Sequence, residues 1–127
     1  MVILVTGKAG AGKTHYAREY IRERMGINKT DTAWLDGDKF RRRTGNQDFS
    51  EGGRERNLRA AAIKAAKFEE EGLLVICSFV APLKKWRMMM REYWKESLLV
   101  YIPGGALWPG TMYEKPDAEE LIIRRNI

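Results

Sequence analysis

With 127 residues the chain is long enough for one domain with one core and too short for two, so a single domain over residues 1–127 is expected. Hydrophobic residues make up 44%, ordinary for a globular protein, yet no apolar run approaches the length of a membrane span. The net charge of +6 fits either a nucleic-acid partner or a site for a polyanionic small ligand. Arg41-Arg42-Arg43, Lys84-Lys85 and Arg124-Arg125 are short, scattered clusters rather than a basic tail, which favours the small ligand. A single cysteine, Cys77, excludes an internal disulfide and suggests no metal cluster.

The chain opens on Met1-Val2-Ile3-Leu4-Val5, an apolar run without a basic flank. It reads as a first strand, Val2 to Thr6, and not as a signal peptide; the cytoplasm is the expected location. Lys13 to Met25 reads as a helix stopped by Gly26. Thr32 to Leu35 reads as a second strand ending at Asp36, and the polar stretch Arg41 to Gly53 as a loop. The alanine-rich segment Arg54 to Glu71 is a predicted helix closed by Gly72. Leu73 to Cys77 is a predicted buried strand, and Pro82 is placed at the first position of a helix reaching Ser97. Leu98 to Ile102 is a fourth strand, Pro103 to Asp117 is irregular, and Glu120 to Arg124 is a fifth strand at a sheet edge.

Strands alternate with helices, and the strands are continuous apolar runs. That pattern predicts a three-layer α/β/α fold with a mostly parallel sheet of about five strands. Right-handed crossovers bring the strand C-terminal ends to one edge, where ligands bind. Gly7, Asp36 and Ser78 each follow a strand, so they belong at that edge.

Gly7-Lys8-Ala9-Gly10-Ala11-Gly12-Lys13-Thr14 fits the phosphate-loop pattern G-x-x-x-x-G-K-[ST], between a predicted strand and a predicted helix. Glycines let backbone N–H groups turn toward phosphate oxygens, and the helix N-terminus adds partial positive charge. Lys13 is expected on the β- and γ-phosphates of ATP and the Thr14 hydroxyl on Mg²⁺. Asp36-Gly37-Asp38 closes the second strand. Two carboxylates at i and i+2 beside a phosphate loop suit metal support and proton acceptance. The competing reading is an ordinary Asp-Gly turn.

Leu35-Asp36-Gly37-Asp38 followed by Arg41 resembles the DGDxxR signature of adenylylsulfate (APS) kinases. The stretch Asn46 to Arg59 resembles that family's N-x-D-L-G-F-S-x-x-D-R-x-x-N-I-R block, Cys77 to Pro82 its C-[AS]-F-I-S-P strand end, and Tyr113-Glu114-Lys115-Pro116 its late Y-E-x-P segment. The resemblance is dense up to about residue 87 and patchy afterwards. It implies an ATP-dependent kinase of the P-loop NTPase class with Mg²⁺ as cofactor. The γ-phosphoryl group would pass to the 3′-hydroxyl of adenylylsulfate or a similar nucleotide. It assigns Lys13, Asp36 and Asp38 to catalysis, with Asp38 as the base for the 3′-hydroxyl, and Thr14 and Asp36 to the metal. It assigns Phe49 to the acceptor's adenine, Arg41, Arg54 and Asn57 to its phosphosulfate, and Val80 and Pro82 to the pocket wall.

For the acceptor residues there are plainer readings: Phe49 as a core anchor of its loop, and Arg54 and Asn57 as first-turn surface residues. The sequence departs from the family at Asp48, where the family has Gly, and before Arg54, where the family has Asp. After Ile102 it runs Pro103-Gly104-Gly105, without the family's basic lid, and the closing helix has no counterpart, so a compact variant with weak turnover is expected. Two alternatives follow. One is a kinase for another nucleotide or a nucleic-acid 5′-hydroxyl; the other is a nucleotide-binding module with little activity. His15 reads as a packing or surface residue. Trp86, Met88-Met89-Met90, Tyr93 and Trp94 read mainly as core, with a homodimer surface or a lid substitute as the alternative. Trp108 reads either as a cover for the nucleotide base or as a loop anchor.

Overall fold

The computed structural model describes residues 1–27, 31–107 and 112–126; Trp108 lies outside them. Five strands form one sheet in the order β2-β3-β1-β4-β5. They are β1 (Val2–Thr6), β2 (Thr32–Asp36), β3 (Leu74–Ser78), β4 (Glu96–Tyr101) and β5 (Arg124–Arg125). The first four pair in parallel, with Leu4 opposite both Cys77 and Leu99. β5 adds antiparallel to β4 at the edge.

The central strand β1 is buried along its whole length. Its side chains alternate between faces, as a pleated strand requires. Val2 and Leu4 enter a core with Val75, Cys77, Leu99, Ala62 and Met90, while Ile3 and Val5 enter a second core with Ala17, Leu74 and Ile76. Helix α1 (Lys13–Ile27) covers the second face; α3 (Glu51–Glu70) and α4 (Lys84–Glu92) cover the first. The three-layer architecture is therefore the expected one. Among the described residues no helix is long and apolar enough to cross a membrane.

Several boundaries move. Gly26 does not stop α1, which runs through Ile27. Arg41 to Gly53 is not one loop. Helix α2 (Gly37–Thr44) occupies its first part, capped by the Asp36 carboxylate, which accepts from the Lys39 N–H at 3.4 Å. Gly45 ends it, donating to the Arg41 carbonyl at 3.1 Å. Ser50 caps α3 by accepting from the Gly53 N–H at 3.2 Å, so that helix starts three residues early. Pro82 lies outside α4, which begins at Lys84 and ends at Glu92 because Glu96 already belongs to β4. The edge strand is Arg124–Arg125 and not Glu120 to Arg124; residues 118–121 form a turn.

The aromatic and methionine-rich helix is explained by burial. Trp86, Met90 and Trp94 are core residues, and Met89 packs against them. Tyr93 is the exposed member, its hydroxyl accepting from the Arg59 guanidinium at 2.9 Å. His15 is exposed on α1.

Candidate functional site

A cleft of about 790 Å³ opens at the C-terminal ends of the parallel strands, where an open α/β sheet places its ligands. One end is the phosphate loop. Gly10 and Gly12 hold left-handed φ values of 78° and 108°, which a Cβ would disfavour. The Lys13 ammonium donates to the Lys8 carbonyl at 2.9 Å, and the Ala11 N–H donates to the same carbonyl at 3.2 Å. Burial lowers the pKa of Lys13, with Asp38 and Asp36 opposing the shift by their charge. Ala9, Gly10, Gly12, Lys13 and Thr14 line the cleft; Gly7, Lys8 and Ala11 complete the loop behind it. The chain after β4 returns to this loop, where the Ala106 N–H donates to the Ala9 carbonyl at 2.9 Å and Leu107 joins the lining.

Asp36 is the hub of the middle. Its Oδ1 accepts from the Thr14 hydroxyl at 3.2 Å and from the Ser78 hydroxyl at 3.1 Å, and Ser78 Oγ in turn accepts from Trp34 Nε1 at 2.9 Å. Thr14 and Asp36 thus present two hard oxygen donors side by side. That set fits Mg²⁺, which takes few protein ligands and completes its shell with water and phosphate. Asp38, in the first turn of α2, is exposed to the cleft. Its charge opposes the lowering of the pKa of both Lys13 and Arg41, which line the same cleft.

The far end gathers Arg41, Phe49, Arg54, Asn57, Val80 and Pro82, all lining the cleft. Phe49 is 69% exposed, so it is no core anchor; the Arg41 guanidinium lies 4.7 Å from its ring centroid. Arg41 also donates to the Asn46 carbonyl at 3.4 Å. Burial lowers the Arg41 pKa, and the neighbouring Arg54 charge lowers it further. Arg54 lies 5.7 Å from the Trp86 ring centroid. Asn57 is 5% exposed, which overturns its reading as a surface residue. Asn57 Oδ1 and Trp86 Nε1 are buried without a hydrogen-bond partner among the described residues. Such orphans cost roughly 1–3 kcal/mol each, and both belong to residues lining the cleft. Two neighbouring guanidiniums and an exposed aromatic face are chemically suited to an anionic, ring-bearing ligand.

The structure adds Leu107 to the lining, together with Phe79 and Ala81 from the Cys77 to Pro82 stretch and Trp86, which was read as core. Ser78 was placed at this edge by its position after a strand. Trp34 carried no signal beyond its place in an apolar strand. The departure at Asp48 is absorbed locally. Its carboxylate accepts from the Ser50 N–H at 3.0 Å and from Arg56 at 2.6 Å. A Cβ at position 53 would lie 2.3 Å from Asp48 Cγ, so Gly53 makes the room.

Comparison with known proteins agrees with this arrangement. The adenylylsulphate kinase family model matches residues 1–106. The adenylyl-sulfate kinase of Halothermothrix orenii is 32% identical over 103 residues, covering 80% of this chain and 55% of that protein. The probable adenylyl-sulfate kinase of Archaeoglobus fulgidus is 35% identical over 103 residues, covering 79% of this chain and 64% of that protein. An APS kinase from Mycobacterium tuberculosis, solved in complex with AMPPNP and APS, superposes with a TM-score of 0.74 at 25% identity, covering 80% of this chain and 61% of that one. The chain spans roughly half to two thirds of the length of these relatives. A family match over residues 1–106, with a relative 32% identical over 80% of the chain, establishes that the chain belongs to the adenylylsulphate kinase family.

Proposed function

We propose that this chain is an ATP-dependent kinase that transfers the γ-phosphoryl group of ATP to the 3′-hydroxyl of adenylylsulfate or a closely similar nucleotide. The observation that carries the reading is one continuous cleft with a phosphate loop at one end and Arg41, Phe49, Arg54 and Asn57 at the other. Asp38 lines the same cleft.

Loop N–H groups and Lys13 hold the donor phosphates. Phe49 stacks on the acceptor base, and Arg41 and Arg54 fork onto its phosphosulfate. Asp38 accepts the proton of the hydroxyl as its oxygen forms a bond to the γ-phosphorus and the bond to the ADP oxygen breaks. Thr14 and Asp36 would hold Mg²⁺, which would neutralise charge on the phosphates. Positioning and electrostatics are the main contributions in this chemistry.

The test is a coupled ADP-release assay with adenylylsulfate, a panel of nucleosides and nucleotides, and a 5′-hydroxyl oligonucleotide. ADP release with adenylylsulfate, weakened in Arg54→Ala and Phe49→Ala, supports the reading. Turnover with another member of the panel alone reassigns the acceptor. Tight ATP binding with no turnover on any of them leaves a binding module.

Asp38→Asn separates chemistry from binding. The amide keeps the size of the side chain but cannot take the proton, so kcat is expected to fall by about 10²–10⁴-fold. ATP affinity, measured by calorimetry, is expected to change little. Wild-type kcat in Asp38→Asn excludes Asp38 as the base.

A further inference from the structure

The wall of the acceptor end is the three-residue stretch Val80, Ala81 and Pro82, between β3 and α4. Ala81 has a φ of 40°, a left-handed conformation that residues with a Cβ seldom adopt. Such a conformation persists only where its surroundings enforce it. All three carbonyls of the stretch are hydrogen-bonded to groups elsewhere in the chain. The Val80 carbonyl accepts from the Thr6 hydroxyl at 2.6 Å, the Ala81 carbonyl from Arg87 Nη1 at 2.8 Å, and the Pro82 carbonyl from the Glu114 N–H at 2.7 Å.

Each bond leads to the segment from Tyr113 to Glu120. Thr6 has one hydroxyl proton, and it is used on Val80. The Tyr113 hydroxyl, 2.8 Å away, therefore donates to Thr6 Oγ1. Burial raises the Tyr113 pKa, which keeps the hydroxyl a donor. Arg87 reaches the Glu114 carbonyl at 2.7 Å and the Glu120 carboxylate at 2.8 Å while it holds Ala81. Glu114 makes its contact directly. This segment lies past residue 106, where the family match ends.

We infer that the segment from Tyr113 to Glu120 is a positioning element of the acceptor pocket, fixing the Val80–Ala81–Pro82 wall through its carbonyls. Tyr113 is its most testable member, because it acts through Thr6 and is not among the residues that line the cleft. The inference rests on the reading of this end as the acceptor site. The structural part, that the segment holds the wall, is open to test without any acceptor.

Two measurements on Tyr113→Phe, which keeps the ring and removes one donor, separate these layers. Amide hydrogen exchange is followed in the chain without ligand. Exchange at residues 79–81 and 83 is expected to accelerate about fivefold, the size of one lost neutral hydrogen bond, with β2 unchanged as the internal control. Calorimetry then measures adenylylsulfate, in the presence of ADP and Mg²⁺, and ATP separately. Adenylylsulfate affinity is expected to weaken about fivefold and ATP affinity to stay the same. Unchanged exchange at the wall overturns the inference, whatever the acceptor is. Accelerated exchange with unchanged adenylylsulfate affinity overturns the link to the pocket. If the parent chain binds no adenylylsulfate, the proposed acceptor falls, while the exchange result still upholds or overturns the wall contact.

Discussion

Lys13→Ala is expected to weaken ATP binding by at least about a hundredfold, because a charge-assisted contact to two phosphates is among the strongest a side chain makes. The fold has little reason to change. Lys13 opens α1 and is only half-buried, its hydrogen bond goes to the carbonyl of Lys8 in the same loop, and alanine is the best helix former. Desolvation already disfavours the ammonium here. The charge is held by Asp38 and Asp36, and the triphosphate would hold it further. Calorimetry with ATP, beside a circular dichroism melt, checks both halves. A folded Lys13→Ala variant with parental ATP affinity would remove the phosphate-loop assignment, and with it the donor end of the cleft.

The strands and the phosphate loop were legible because their signals are local. β1 and β3 are continuous apolar runs, and the glycine-lysine-threonine spacing stands between a strand and a helix. Helix α2 was not legible. Its residues from Gly37 to Thr44 bury only Phe40, and three successive arginines resemble a solvated loop. What makes it a helix is the Asp36 cap and three basic residues in the last turn, where they complement the helix dipole. The start of α3 was hidden by Gly52-Gly53, which argue against a helix until the Asp48 side chain beside Gly53 is known. The residues proposed for the acceptor end were named by family resemblance more than by chemistry. Spacing alone cannot tell that Asn57 is buried and Phe49 exposed, the reverse of their usual preferences. Arg87 and Arg91 were missed for the same reason. Two arginines four apart look like a surface face, yet they are 0% and 2% exposed, and each has partners about thirty positions away in sequence.

One of these arginines, Arg87, carries the second large effect. Arg87 Nε meets Glu120 Oε1 at 2.8 Å with both side chains essentially excluded from water. Glu120 Oε2 also accepts from Arg87 Nη2 at 3.3 Å and from the Asp117 N–H at 3.2 Å. Removing one member of a buried pair strands the other charge, at a cost of about 3–5 kcal/mol. Against a total stability of about 5–15 kcal/mol for a domain of this size, that is a large fraction. Glu120→Ala is therefore expected to lower Tm by on the order of 10–20 °C and to release the chain from Tyr113 onward, since the backbone contacts of Arg87 and Arg91 depend on the same packing. Asp117→Asn is the contrast. Its partner Lys84 is 41% exposed and Asp117 itself 48%, so solvent screens the pair and Tm should change little. The double variant Arg87→Met with Glu120→Leu discriminates further. If the cost of Glu120→Ala is the stranded guanidinium, replacing both partners by apolar side chains should recover most of the lost Tm. A double variant as unstable as Glu120→Ala would show that losing the hydrogen bonds Arg87 makes to Ala81 and Glu114, which no apolar side chain can replace, costs as much as the stranded charge.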